Sequence, residues 1–500
     1  MPSSLIMSGF DLRVVDLPEE ARILLPLRAQ VPLDDAKAAI LRAIAGPVSG
    51  PPLADLLTAE TRVTVLIDDL SLPVPPPAHD PRADMLEVVL NQLERKSIRP
   101  AQVKVLVANG LSRQWRPVEL ADVLGEQVLA AHPVACHDAE STAQLERIGE
   151  VDGLPVEVNR ALAEADLVVH LNVVSMPLMT GTYPLVCGAL GYKTVRGLVT
   201  PAAFAEDAPF LPGSALVRAH ERVAEVLLSK VKVVQLSTVL SNDLWPPALA
   251  AVVQGGATAS LTRPLQMWNS LPTPVRHRAA RLLRANYRPL WFGFGPPAEV
   301  APKARAVFRR QHEVTAEEEV DVLLVGLPDV GPGSVRSGQN PVLAAELALG
   351  SVYHLFTQKP LLRPGGTIVI ANPLTPSFDR VHRPHEDFYD RVLKTEREPQ
   401  VIHEKFEQLF AGRPEFVGGY ERRFGFHGVH PLHAWYRCAP ARRRASRIFA
   451  AYGDPGACVR LGFDAATSVE DALQRSREAL GKDRLDVAAL TITPPFWVKV

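Results

Sequence analysis

Val63–Pro77, VTVLIDDLSLPVPPP, decides the fold. Val63 to Ile67 is an unbroken run of β-branched and aliphatic residues, the composition of a strand buried on both faces of a parallel sheet. It ends on Asp68 and Asp69, and four prolines follow between Pro73 and Pro77. Acids at a strand end with a stiffened loop behind them place polar groups at the mouth of a sheet, where doubly wound folds bind ligands. The same residues also suit a plain turn, in which the acids cap the next element and the prolines hold a surface loop.

Working outward, strand and helix signals alternate. Ala83–Ser97 carries apolar residues at helical spacing, and Val103–Gly110 is a second strand ending at glycine. Arg116–Gly125 frames a helix between Pro117 and Gly125. Val158–Val174 is a short helix followed by a third strand. Beyond an irregular, basic stretch, Leu261–Pro297, the pattern resumes with a strand opening Val320–Ser334, a helix at Asn340–Phe356 and a strand in Pro364–Leu374. It closes with the helix Ala466–Gly481, begun by Ser468 and Glu470, and the strand Asp486–Thr493. The expectation is an α/β protein of two Rossmann-like domains with mostly parallel sheets. The N-terminal domain takes 1–260, a linker region 261–317 and the C-terminal α/β domain 318–500.

A chain of 500 residues is too long for one core. A net charge of −1 and a pI near 6.9 call for neither nucleic acid nor an anionic membrane surface. Cys136, Cys187, Cys438 and Cys458 are scattered, with no C-x-x-C pair to indicate a zinc knuckle or a disulfide framework. The first twenty residues lack the basic start of a signal peptide, and no apolar run approaches the ~18 residues of a membrane helix. These features predict a soluble, cytoplasmic protein with a small-molecule substrate.

Three first-half strands deliver polar loops to one sheet edge: Asp68-Asp69-Leu70-Ser71, Asn109-Gly110-Leu111-Ser112-Arg113, and Asn172 with the segment Ser175–Lys193. The third is glycine-rich, with Gly181, Gly188 and Gly191 leading to Tyr192-Lys193. Glycine lets backbone approach a ligand, and a lysine there can serve as phosphate partner or nucleophile. A glycine-rich loop ending in lysine is more often only a loop.

The ordered series DDLSLP, ANGLSRQWRPVEL, His137-Asp138, GLPVEVNRALAEADLVV, GALGYKTVRG and VVQLSTVLSNDLWPPALAAVVQGG resembles the lactate racemase family. VDVLLVGLPDV, LLRPGGTIVI and the final helix and strand extend the resemblance over most of the chain. It implies two α/β domains and a nickel-pincer nucleotide joined to a lysine, with nickel bound by a histidine and two histidines as acid/base groups on a 2-hydroxy acid. The lysine matches Lys193, and the nickel-binding histidine is best matched by His220. Asp68, Asp69, Asn109 and Gly110 are the matched nucleotide contacts. The departures are specific. Leu72 stands where the family has an arginine, and the two acid/base positions hold Ser112 and Tyr183. A phenol with an ordinary pKa near ~10, or a serine hydroxyl above it, is a poor base at neutral pH.

Three readings follow. The chain is a racemase or epimerase of another 2-hydroxy acid, with His132, His137 or His170 in reach as replacement bases. Alternatively it is a catalytically degenerate relative that binds a nucleotide or small carboxylic acid, or a different enzyme on the same scaffold. Other signals have plainer explanations. Pro360–Pro373 resembles a methyltransferase segment without the required glycine-rich turn. His427, His430 and His433 are evenly spaced as zinc ligands would be, but Gly428 and Pro431 are expected to interrupt any helix aligning them. Ala441–Arg447 reads as a solvated basic face or an anion contact, not a nucleic-acid site.

Overall fold

The computed structural model describes residues 3–25, 30–176, 179–244, 266–282, 284–331, 333, 338–491 and 497–500. Its frame is a pair of six-stranded sheets. The first runs across its width as Pro289–Gly295, Val233–Leu240, Leu167–Val174, Val63–Asp68, Val103–Ala108 and Val134–Cys136. Every pairing is parallel except that of Pro289–Gly295 with its neighbour. The second runs as Asp464–Ala466, Arg447–Ala451, Leu362–Ala371, Val320–Gly326, Val487–Leu490 and Arg22–Ile23, parallel throughout. The expected α/β architecture with mostly parallel sheets is present.

Burial explains the strands. Val63–Asp68, Leu167–Val174, Val233–Leu240 and Val320–Gly326 are buried at every position, as their predominantly apolar sequences favour. Local chemistry sets the helix ends. Asp80 caps Pro81–Arg95 by accepting from the Arg82 N–H, with proline at the first turn. Pro117 opens the helix that closes at Gly125, whose φ of 91° suits a residue without Cβ. Ser468 accepts from the Asp471 N–H to start Val469–Leu480.

The segments nearest the expected domain limits pair across them. Ser3–Ser8 and Asp11–Asp16 form a hairpin, and Arg22–Ile23 completes the second sheet beside Val487–Leu490. Pro289–Gly295, inside the stretch expected as linker, is the antiparallel edge of the first sheet, with Phe292 and Phe294 in the same apolar cluster as Val65 and Ile67. Alternate aromatic residues in PLWFGFG give that edge a buried face. The expected boundary at residue 260 falls outside the described residues.

The two halves are packed together. One apolar cluster contains Leu185 and Leu216 from the first half with Val429 and Leu432 from the second. The Tyr420 hydroxyl donates to the Gly110 carbonyl at 2.9 Å, and the His427 N–H to the Leu111 carbonyl at 3.3 Å. The helix His430–Arg437 lies in this seam. Pro431 starts that helix and does not interrupt it, because a proline in the first turn has no intrahelical N–H to lose. Among the described residues, no helix is long and apolar enough to cross a membrane.

Candidate functional site

Asp68, at the end of the central strand, faces its neighbours. Its Oδ1 lies 2.6 Å from His170 Nε2, and its Oδ2 accepts from Asn172 Nδ2 at 2.7 Å and the Val173 N–H at 3.0 Å. The other His170 nitrogen lies 3.3 Å from Gln235 Nε2, so both ring nitrogens are engaged. Ser237 donates to Asn172 Oδ1 at 2.9 Å. This buried network ties three strands at the point where strand order reverses, and it occupies the crevice where a doubly wound sheet receives ligands.

Asp69 points the other way, accepting from Trp115 Nε1 at 2.8 Å and the Ser71 N–H at 3.2 Å. Burial pushes its carboxyl above the usual range. The proline loop is held from beneath by Arg82, which is buried against Asp80 and donates to the carbonyls of Asp69 at 2.7 Å and Leu72 at 2.6 Å.

On the second loop, Gly110 has φ of 52°, and an added Cβ would meet the Cys187 carbonyl oxygen at 2.4 Å. Its N–H donates to the Gly188 carbonyl at 3.0 Å. This glycine lets the strand end approach the helix Tyr183–Ala189. Asn109 Nδ2 donates to the His137 carbonyl at 3.1 Å, while Asn109 Oδ1 is a buried acceptor without a hydrogen bond. Ser112 donates its N–H to the Asn109 carbonyl at 2.9 Å, closing the turn, and lies half-buried beside the seam.

Tyr183 and His220 meet. Their rings stack with centroids 4.9 Å apart, and Cys187 Sγ lies 3.3 Å from His220 Nε2. His220 Nδ1 is 2.8 Å from the Leu216 carbonyl. A carbonyl only accepts, so Nδ1 carries the proton and Nε2 presents a lone pair to the thiol. Tyr183 lies one helical turn before Cys187 on the same helix. Burial lowers the His220 pKa and raises those of Tyr183 and Cys187, the thiol to about 11. At neutral pH the trio therefore comprises two donors and one neutral base. Cys187 was missed in the sequence, although its place four residues after Tyr183 puts both on one helix face.

Lys193 is elsewhere. Its ammonium lies 3.2 Å from Glu157 on a largely exposed side chain, and it lines a shallow cavity with Glu140, Arg147, Glu157 and Tyr192. No hydrogen bond, ion pair or ring contact joins it to His220. His137 is also committed, to the Leu190 carbonyl at 2.9 Å and Asn159 Nδ2 at 3.1 Å, and burial lowers its pKa to about 4. His132 is half-buried at the end of the short helix Glu126–Ala131.

The three evenly spaced histidines of the second half do not converge on one point. His427 Nε2 is 2.7 Å from Glu140, His430 Nδ1 is 3.1 Å from His385 Nε2, and His433 lies 3.9 Å from Glu407. The three face different partners. Among the described residues no group of three or more histidine, cysteine or acidic side chains could hold a metal ion.

Residues 9–183 match the family described as the lactate racemase N-terminal domain. The chain is 28% identical over 131 residues to a lactate racemase of Thermoanaerobacterium thermosaccharolyticum, covering 26% of this chain and 29% of that one. It is 23% identical over 160 residues to a lactate racemase of Lactiplantibacillus plantarum, covering 31% and 36%. The aligned stretches thus span about a third of these curated relatives. In structure it is similar over the full length of both chains to the lactate racemase apoprotein of T. thermosaccharolyticum, with a TM-score of 0.68 at 16% identity. A Thermotoga maritima protein of known structure matches with a TM-score of 0.54 at 14% identity, over 95% of this chain and all of that one.

Proposed function

Since the chain is a divergent member of the lactate racemase family, we propose that it is an isomerase acting on a small 2-hydroxy acid at the seam between its two halves. The observation that carries this reading is the meeting of Tyr183 with His220. One stands at a position where the family has an acid/base histidine, the other at the match to its metal-binding one, and Cys187 lies 3.3 Å from His220 Nε2.

The set has a definite chemical capacity. His220 Nε2 can accept a proton, since its pKa is lowered and its tautomer is set by the Leu216 carbonyl. The Tyr183 phenol stays protonated and can only donate to, or orient, a substrate oxygen. Ser112 lies half-buried on the loop that Gly110 packs against the same helix, placed for a hydrogen bond but not for proton abstraction.

The resemblance also implies a nickel-pincer nucleotide. His220 alone suits a metal, because a ligating imidazole typically donates its other N–H to a carbonyl. Lys193 and His220 do not fit the group as a pair. The cavity that Lys193 lines is bounded by Glu140, Arg147, Glu157 and Tyr192, whereas His220 is buried against Tyr183 and Cys187. The chemistry above does not pass through that group.

The test is a panel of enantiopure lactate, malate and glycerate incubated in D2O with the purified chain and followed by chiral chromatography and NMR. Inversion of at least one acid is expected, with deuterium at C2 reporting whether its hydrogen leaves as a proton. Retention of configuration in every acid, with the protein folded, overturns the proposal.

A further inference from the structure

Arg437 ends the helix His430–Arg437. One guanidinium nitrogen is 3.2 Å from Glu346 Oε1, and the side chain retains 32% exposure. A guanidinium has five N–H donors in a planar fork, so one carboxylate contact leaves edges for another. Glu346 begins a π-helical turn, Glu346–Ser351, a distortion frequent at functional sites.

His430 lies seven residues earlier on the same helix, two turns and about 10 Å along its axis, and therefore on the same face. Its Nδ1 is held by His385 Nε2 at 3.1 Å. Its Nε2 makes no hydrogen bond to the described residues, and the ring is half-buried. His385 is fully buried, packed against the Phe426 and His382 rings, and its own Nδ1 has no partner. His385 is thus fixed by packing, and it fixes His430. A second π-helical turn, Phe388–Val392, begins three residues after it.

We propose that the helix His430–Arg437 is the substrate-recognition element of the seam: Arg437 binds the carboxylate of the 2-hydroxy acid, His430 Nε2 meets its hydroxyl, and His385 is the positioning residue for His430. This rests on the function proposed above and names the substrate contacts within it. A cation and a neutral imidazole on one helical stripe supply two-point recognition of an anionic acid with an adjacent hydroxyl. Neither group was visible as a pair from spacing alone, because His433 shares the motif but turns to Glu407.

Calorimetric titration with lactate, propionate and lactamide tests it, since propionate lacks the hydroxyl and lactamide the charge. The wild-type chain is expected to bind lactate tightest of the three. Arg437→Gln is expected to weaken lactate about ten- to hundredfold, the worth of a charge-assisted hydrogen bond, with lactamide little changed. Arg437→Lys, which keeps the charge, should recover part of the loss. His430→Phe should lower lactate affinity to that of propionate and leave propionate unaltered. His385→Phe should act in the same hydroxyl-selective way but more weakly. Should His430→Phe fail to fold, His430→Gln serves the same comparison with a smaller side chain. Equal affinity for all three ligands in the wild type, or variants that lose all three equally, would overturn the inference. Selective lactate binding without inversion would leave the inference standing and remove the isomerase reading.

Discussion

Replacing Asp68 with alanine removes the acceptor for three donors at once: His170 Nε2 at 2.6 Å, Asn172 Nδ2 at 2.7 Å and the Val173 N–H at 3.0 Å. Asp68 is 2% exposed, and His170 and Asn172 are wholly buried, so no bulk water reaches the orphaned groups. Asn172 keeps a second acceptor, the Met179 carbonyl at 3.0 Å, which leaves two full orphans. At about 1–3 kcal/mol for each unsatisfied buried donor, with a small cavity added, the expected loss is about 3–5 kcal/mol. That is a large share of the ~5–15 kcal/mol typical of a folded protein. Asp68→Asn keeps the shape but turns an amide N–H₂ towards donors, and should cost about 2–3 kcal/mol. The assay is urea unfolding followed by far-UV circular dichroism and tryptophan fluorescence. It is read at the first transition, since a chain with two sheets need not unfold in one step. The opposing view, in which Asp68 is a ligand contact held ready in the crevice, predicts that alanine relieves a buried charge at little cost. A loss below about 1 kcal/mol would therefore refute the strand-locking role.

Three further outcomes follow from the same geometry. Gly110→Ala forces a Cβ to within 2.4 Å of the Cys187 carbonyl oxygen at positive φ, and should destabilise the chain by about 2–5 kcal/mol in the same denaturation assay. Lys193→Ala removes only an exposed ion pair to Glu157 and should change stability by less than about 0.5 kcal/mol. Glu119 is held at about 2: burial alone would raise its pKa, but hydrogen bonds from Arg116 and Arg113 outweigh it. A carboxyl depressed in the folded state stabilises above its unfolded value near 4.5 and loses that contribution as pH falls towards 2. Glu119→Gln should therefore flatten the stability profile between pH 4.5 and 2, measured as urea midpoints.

The fold was legible wherever one physical signal acted alone. Val63–Asp68 and Val320–Gly326 are mostly aliphatic runs, and burial on both faces leaves them no other stable place than a sheet interior. Ser468 and the Pro117–Gly125 frame marked helix ends because capping is local chemistry. Pairings that join distant segments were not legible. Arg22–Ile23 is too short to announce a strand and gains its place only from Val487–Leu490. PLWFGFG carries aromatic alternation, but its basic, proline-rich surroundings read as a connection.

The site shows the same division. The positions of Tyr183 and His220 came from the resemblance, whereas their stacking depends on the packing of two helices. Asp68 read as a group at the sheet mouth because its spacing does not reveal that His170 and Asn172 turn towards it from the adjacent strand. His427, His430 and His433 are equally spaced yet diverge, because His427 precedes the helix and the other two lie three residues apart on it.

The most direct test of the seam as the working site is the rate of lactate, malate or glycerate inversion by the wild-type chain beside His220→Gln, with the thermal midpoint of each measured in parallel. The account predicts inversion by the wild type and a loss of about a hundredfold or more in the variant, as for removal of a general base, at a similar midpoint. Equal inversion rates in the two proteins would contradict it and place the chemistry away from Tyr183, Cys187 and His220.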